Sequence, residues 1–227
     1  MFEEVFIRTP LFSQLRPQSQ DILRRTMREQ TAERGETIVQ EDDELPCLIV
    51  VTEGVLALIS GAGIRERLLY EIFPFETFGE VEFLDQGRAI GRVVALSKRC
   101  RYVTVSTAAL REVVQAEPMT LPALAARCSQ HTRFIVKALR SQVADSTLVR
   151  VASALVAYAP PSNGLHPALP PLSSMTQTQI AVAAGTVKEV AARAVAELEA
   201  RRALERSHGH ISLLDRGKLL NIISAKG

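Results

Sequence analysis

Hydrophobic and polar positions change period twice along the chain. From Glu33 to about Ser106 the apolar residues come in short runs, TIVQ, CLIVVTEGVLALIS, RERLLYEIF, GRVVAL and RYVTVS, parted by glycines and other turn formers. Short runs rich in Val, Ile, Leu and Thr at this spacing predict an antiparallel sandwich or barrel. The preceding RPQSQDILRRTMRE predicts a short helix. After Thr107 the period lengthens. Leu121, Leu124, Cys128, His131, Ile135, Ala138 and Gln142 follow one another at alternating spacings of three and four, the a/d seam of a helix. A second stripe, including Phe134 and Leu139, is left to pack on the β domain. A helix with two apolar faces needs two partners, so the seam predicts a dimer coiled coil. Packing inside one large intramolecular core is the competing arrangement.

A helix around Leu148–Tyr158 ends at APPSNGLHPALPPLSS, whose five prolines cannot continue it. Beyond that break the chain reads MTQTQIAVAAGTVKEVAARAVAELEARRAL. Thr176 with Gln179 three residues on forms a capping box, predicting a helix from about Gln177 to Ala184, and Gly185 supplies a sharp turn. In the next helix Val187, Ala191, Ala194, Val195 and Leu198 share one face, while Lys188, Glu189, Ala192 and Arg193 share the other. Any all-α core hairpin would show the same stripe. The following LERSHGHISLLD, however, predicts two short strands around a glycine turn, and a helix-turn-helix with such a hairpin is a winged arrangement.

Charge adds an asymmetry that the net +2 conceals. Residues 1–146 hold 18 Lys+Arg against 20 Asp+Glu, and residues 147–227 hold 9 against 5. The positive excess therefore sits in the last third, which favours a polyanionic partner there. The three cysteines, Cys47, Cys100 and Cys128, are far apart and lack zinc-ribbon or iron–sulfur spacing, which suits a reduced cytoplasm. No apolar run approaches a membrane span, and the acidic MFEEVFIRTPLF is not a signal peptide. The chain lacks a nucleophile–base pair, a Walker loop and H-E-x-x-H, so an enzyme is not expected.

Taken together, RGETIVQEDDELPCLIVVTEGVLALIS, FGEVEFLDQGRAIGRVVAL, the long central helix and the GTVKEVAAR run resemble the Crp/Fnr family of bacterial transcription regulators, over nearly the whole chain. The resemblance implies an α+β fold: an N-terminal β-roll (a double-stranded β-helix or jelly roll) over 1–115, a dimerisation helix over 116–146, and a winged helix-turn-helix over 147–227. It also implies a homodimer on double-stranded DNA. Lys188, Glu189 and Arg193 match the family's base-reading positions, where Arg suits guanine and Glu the cytosine amino group. Thr176, Gln177 and Thr186 match phosphate-contacting positions. With Val187 where many relatives carry Ser or Thr, the start of the recognition helix depends on Thr186. The dimer seam is expected at Leu124, Cys128, His131, Ile135 and Ala138.

In the β-roll, Phe78, Gly79 and Glu80 match the run that contacts ribose in cyclic-nucleotide-binding members. The phosphate-binding Arg-Ser or Arg-Thr pair is missing. Ala89-Ile90 or Ile90-Gly91 stands there, flanked by Arg88 and Arg92. Arg88 is the candidate that could restore the site, and cyclic AMP is not expected to bind without its arginine. The alternative for Glu80 is a turn carboxylate serving local donors. No cofactor or metal is predicted: the first thirty residues contain no cysteine, and His131, His166, His208 and His210 are not placed as haem ligands. Cys128 and His131 are read as packing. The exposed Pro160–Pro171 loop matches a surface that touches RNA polymerase in family activators. Two other readings stay open: an effector-independent regulator controlled by abundance or cysteine oxidation, and a non-DNA signalling subunit with a cyclic-nucleotide-binding-like fold.

Overall fold

The computed structural model describes residues 2–61, 66–158, 175–207, 210–213 and 215–225, with the side chains of Ala138, Gln142, Ser207, His210 and Leu213 excepted. The expected polymerase loop Pro160–Pro171, His166 and His208 lie outside the described residues. Contacts divide the chain into two compact units, residues 1–58 with 70–134 and residues 59–69 with 135–227.

The first unit opens with α1 (Phe2–Arg8) and α2 (Pro17–Thr26). Strands β1 (Arg28–Glu33), β2 (Thr37–Val39), β3 (Cys47–Glu53), β4 (Leu56–Ser60), β5 (Arg67–Ile72), β6 (Thr77–Phe78), β7 (Arg92–Ala95) and β8 (Arg99–Ser106) follow. They form two four-stranded sheets ordered β1-β8-β3-β6 and β2-β7-β4-β5. Strand β1 is absent from the sequence pattern, because REQTAE is polar at every position but one. It is an edge strand on β8, paired from Arg28↔Thr104 to Glu33↔Arg99, with only Ala32 buried. Backbone pairing rather than alternation makes it a strand. Between β6 and β7 lies α3 (Glu80–Asp85), and β8 leads into α4 (Thr107–Ala116), capped by the Ser106 hydroxyl on Ala108 N–H. Phe6, Phe12 and Leu23 pack with Leu48 and Val50 of β3, Val103 of β8 and Leu110 of α4. Each such fully buried side chain contributes about 1.5–3 kcal/mol.

The long helix α5 runs Thr120–Ala144 and starts four residues later than expected. Glu117 and Pro118 occupy the turn before it, where Glu117 accepts hydrogen bonds from Ser19 Oγ and Arg16 N–H. The stripes of this helix are distributed differently from the predicted assignment. Leu124 is buried in the first unit's own core and His131 is buried against Tyr70, so these two seam residues already have intramolecular partners. The exposed apolar side chains of this helix are Leu121 of the seam and, further along, Phe134, Val136, Leu139 and Val143, the last 90% exposed. Cys128 and Ile135 are half-buried, and the side chain of Ala138 lies outside the described residues. Heptad spacing shows that a face is apolar but not which surface covers it.

In the second unit α6 (Thr147–Tyr158), α7 (Gln177–Ala183), α8 (Lys188–Ala200), the hairpin β9 (Leu204–Ser207)–β10 (His210–Leu213) and α9 (Arg216–Ser224) surround one core. Leu155, Ile180, Val195, Leu198, Leu204 and Leu219 fill it. Helix α9 is a further element without a sequence expectation; Asp215 caps it by accepting from Lys218 N–H at 3.1 Å.

Candidate functional site

Helix α7 starts with the predicted capping box. Thr176 Oγ1 accepts from Gln179 N–H at 3.2 Å, and Gln179 Oε1 accepts from Thr176 N–H at 2.9 Å. It ends in two nested bonds, Thr186 N–H to the Ala181 carbonyl at 2.9 Å and Gly185 N–H to that of Val182 at 3.0 Å. This closure needs a left-handed residue, and Gly185 supplies it with φ +60°. The chain is thereby turned into α8 within four residues. Ala181, Ala184, Ala191 and Ala194 are all buried in the shared core, where short side chains let the two helices cross closely.

The burial of Ala191, Ala194, Val195 and Leu198 fixes the rotation of α8, so Lys188, Glu189 and Arg193 project into solvent. None of these three has an ion-pair or hydrogen-bond partner among the described residues, unlike Glu197 and Glu199 at the far end, which hold Arg201 and Arg206. The start of α8 differs from expectation. Val187 is the N-cap and makes no side-chain cap bond, while Thr186 gives its N–H to the α7 closure and does not cap. The first N–H groups of α8 therefore lack a side-chain acceptor, which leaves the helix terminus attractive to an anion. Thr176 and Gln177 are exposed and Thr186 is half-buried.

The Phe78-Gly79-Glu80 run lies where β6 passes into α3. Gly79 has φ +109°, and a Cβ there would stand 3.0 Å from the Cys47 carbonyl oxygen, so only glycine fits. Phe78 is buried, and Glu80 is completely so. Glu80 accepts from the Thr77 hydroxyl and stands 3.7 Å from Arg127 Nε of α5. Arg127 also holds Glu76 through two contacts of 3.2 Å. His131, one turn further on, stacks on Tyr70 with ring centroids 4.3 Å apart, and its Nδ1 lies 3.2 Å from the Tyr70 hydroxyl. Burial pushes the Glu80 and Glu82 carboxyls up, and burial assisted by Arg127 pushes His131 down to about 3. Sequence reasoning misses Tyr70, Glu82 and Arg127, because each sits in an ordinary strand or helix context with no spacing that marks it.

Two details bear on a cyclic nucleotide. The Ile90 N–H, at the position expected to face the phosphate, donates to Glu82 Oε1 at 3.1 Å. Arg88 does not restore the site: it is 62% exposed, donates to the Asp42 carbonyl at 2.9 Å and pairs with Glu44 at 3.6 Å. With the Glu80 and Glu82 carboxyls buried here, the Ile90 N–H taken by Glu82 and Arg88 held at the surface, these residues do not fit a cyclic phosphate held on Arg88. Glu80 accepts from the Thr77 hydroxyl of its own turn and also faces Arg127 of α5. Four buried atoms of the cluster, Glu80 Oε2, Glu82 Oε2, Arg127 Nε and His131 Nε2, have no hydrogen-bond partner among the described residues.

Cys100 is fully buried with its thiol on the Val55 carbonyl, and burial raises all three thiols, Cys128 to about 11. Among the described residues no group of three or more His, Cys, Asp or Glu is placed to hold a metal, and no helix is long and apolar enough to cross a membrane.

Comparisons with known proteins match both units. The cyclic nucleotide-binding domain model matches residues 29–117 and the Crp-like helix-turn-helix domain model residues 149–222. The cyclic AMP receptor protein of Thermus thermophilus is 27% identical over 190 residues, 82% of this chain and 83% of its own length. A CRP/FNR-family transcriptional regulator, also of Thermus thermophilus, superposes with TM-score 0.70 at 21% identity, covering 88% of this chain and all of its own. The c-di-GMP-responsive global regulator CLP of Xanthomonas campestris superposes with TM-score 0.73 at 15% identity, covering 87% and 99%. With Lys188, Glu189 and Arg193 exposed and unpaired among the described residues on the second helix of a Crp-like helix-turn-helix, and a cyclic-nucleotide-binding-type β-roll before it, the chain belongs to the Crp/Fnr family of DNA-binding transcription regulators.

Proposed function

We propose that the protein works as a cytoplasmic homodimer that reads an inverted-repeat DNA site, with Arg193, Glu189 and Lys188 of α8 on base edges in the major groove. The observation that carries this reading is the pairing of a buried face on α8 with an exposed N-terminal half whose charges, Lys188, Glu189 and Arg193, have no partner among the described residues. Free guanidinium and carboxylate groups at the start of a recognition helix can bond to guanine and to the cytosine amino group without first breaking an ion pair. Thr176, Gln177 and Thr186 would contact phosphates, aided by the uncapped N–H groups of α8. Twofold symmetry then dictates half-sites about one helical turn apart. The dimer surface in this reading includes Val136, Leu139 and Val143, which lie at i, i+3 and i+7 on one face of α5 and are exposed in the single chain. RNA polymerase is the further partner that the resemblance implies.

Cyclic AMP is not the effector in this reading, since Glu82 holds the Ile90 N–H and Arg88 faces away. Control by cysteine oxidation is also disfavoured, because thiols held up by burial supply little thiolate at neutral pH. Fluorescence anisotropy with duplex DNA tests the interface: affinity should fall steeply with salt, and Gln177→Ala should weaken all sequences alike. Salt-independent binding, or a Gln177→Ala effect confined to one sequence, would contradict the assignment.

A further inference from the structure

Next to the Phe78–Glu80 run, with Thr77 in its lining, the first unit contains a cavity of about 440 Å³. Its walls are the turn after α1, the loop joining β5 to β6, and the outer face of α5. That volume lies in the range of small-molecule sites.

The lining has a definite chemistry. Arg8 lies 3.7 Å over the Phe75 ring and has no carboxylate partner among the described residues. Phe75 itself is held with φ +68°, a left-handed conformation that a bulky residue seldom adopts, and its N–H is fixed on the Val51 carbonyl at 2.7 Å. Thr9, fully buried, contributes to the wall, and its hydroxyl has no hydrogen-bond partner among the described residues. Arg127, whose side chain is 14% exposed, is neutralised by Glu76, the one carboxylate of the described lining, while burial pushes the carboxyl of Glu80 behind it toward the neutral form. One cation, Arg8, is therefore left uncompensated beside apolar surface from Phe75, Pro74 and Leu11.

We propose that this cavity binds a small organic monocarboxylate, its carboxylate on Arg8 and its apolar body against Phe75, Pro74 and Leu11. A single negative charge balances the lining, whereas a phosphate dianion would place a second charge beside Glu76. Because Arg127 lines the cavity and also meets the buried Glu80, an occupant would be felt in the β-roll cluster through a residue of α5.

The test is isothermal titration calorimetry on the full chain with phenylacetate and hexanoate, set against phenylacetamide and phenyl phosphate. No DNA is needed, so the result is independent of the DNA-binding assignment. The carboxylates should bind saturably at one site per chain, and the amide and the phosphate about tenfold or more weaker, the scale of one charge-assisted hydrogen bond. Arg8→Gln should weaken carboxylate binding about tenfold. Ala126→Phe, which fills the cavity from an exposed position on α5, should abolish it. Arg88→Gln, on a different surface, should leave it unchanged; circular dichroism establishes that each variant folds. The proposal is overturned by absence of saturable heat with both carboxylates, by equal binding of the amide or phosphate, or by carboxylate binding that survives Ala126→Phe in a folded protein.

Discussion

Replacing Arg193 by alanine gives an unusually clean reading of the DNA interface, because the structure predicts almost no cost to the protein itself. Arg193 is exposed on α8, outside the core formed by Ala191, Ala194, Val195 and Leu198, and it makes no ion pair among the described residues. Removing it should change folding stability by less than about 0.5 kcal/mol, the usual scale for a surface substitution. In the proposed DNA complex the same change would remove a bidentate contact worth about 1–3 kcal/mol at each half-site. A twofold dimer loses it twice, about 2–6 kcal/mol, so affinity for the preferred site should fall by about 30-fold to 10⁴-fold. Binding to unrelated duplex should hardly change. Anisotropy titrations of both proteins on the preferred site and on a scrambled duplex, with thermal melts alongside, measure all three quantities. Equal affinity of Arg193→Ala and the parent for the preferred site, with melts that coincide, would refute the base contact and the orientation of α8 from which it follows.

Other consequences concern stability and assembly. Thr176→Ala should cost about 1 kcal/mol by removing the hydroxyl acceptor of the α7 capping box, seen as a lower denaturation midpoint for the C-terminal unit, with Thr176→Ser close to the parent. Leu139→Glu with Val143→Glu should yield a folded monomer by sedimentation velocity, because both side chains are exposed in the single chain; a dimer that persists would place the interface elsewhere. His131 titrates with a sign that can be checked. Its folded pKa near 3 lies below the ordinary 6.5, so the unfolded chain binds the extra proton and stability falls as pH drops from about 6.5 toward 3. His131→Phe should remove that loss, gaining on the parent by up to about 1.4 kcal/mol per pH unit below pH 6 in urea titrations; a constant difference from pH 7 to 5 would contradict the burial of a neutral imidazole.

How far these features are legible in the sequence depends on whether a local signal is strong enough to act alone. The capping box at Thr176 and Gln179, the Gly185 turn and the buried stripe of α8 are short-range devices, and the structure has them where the spacing puts them. The strands rich in Val and Ile are equally plain. The polar edge strand β1 is not, since its conformation depends on β8, more than sixty residues away. The apolar seam of α5 is legible as spacing, but what covers it is not: Leu124 and His131 find partners within the chain, and spacing carries no information about what lies opposite. The β-roll cluster is half visible. Glu80 stands in a recognisable run, whereas Arg127, Glu82 and Tyr70 converge on it only through tertiary structure. Arg88 resembles a substitute phosphate ligand by proximity in sequence, yet Asp42 and Glu44 hold it at the surface.

The most direct test of the account is selection of binding sites from a random duplex pool by the full-length protein. It predicts enrichment of an inverted repeat whose half-sites are centred about one helical turn apart, with a guanine in each half-site that loses its preference when Arg193→Ala is used for the selection. A pool that shows no enriched motif, or a motif without twofold symmetry, would contradict a dimer that reads DNA through α8.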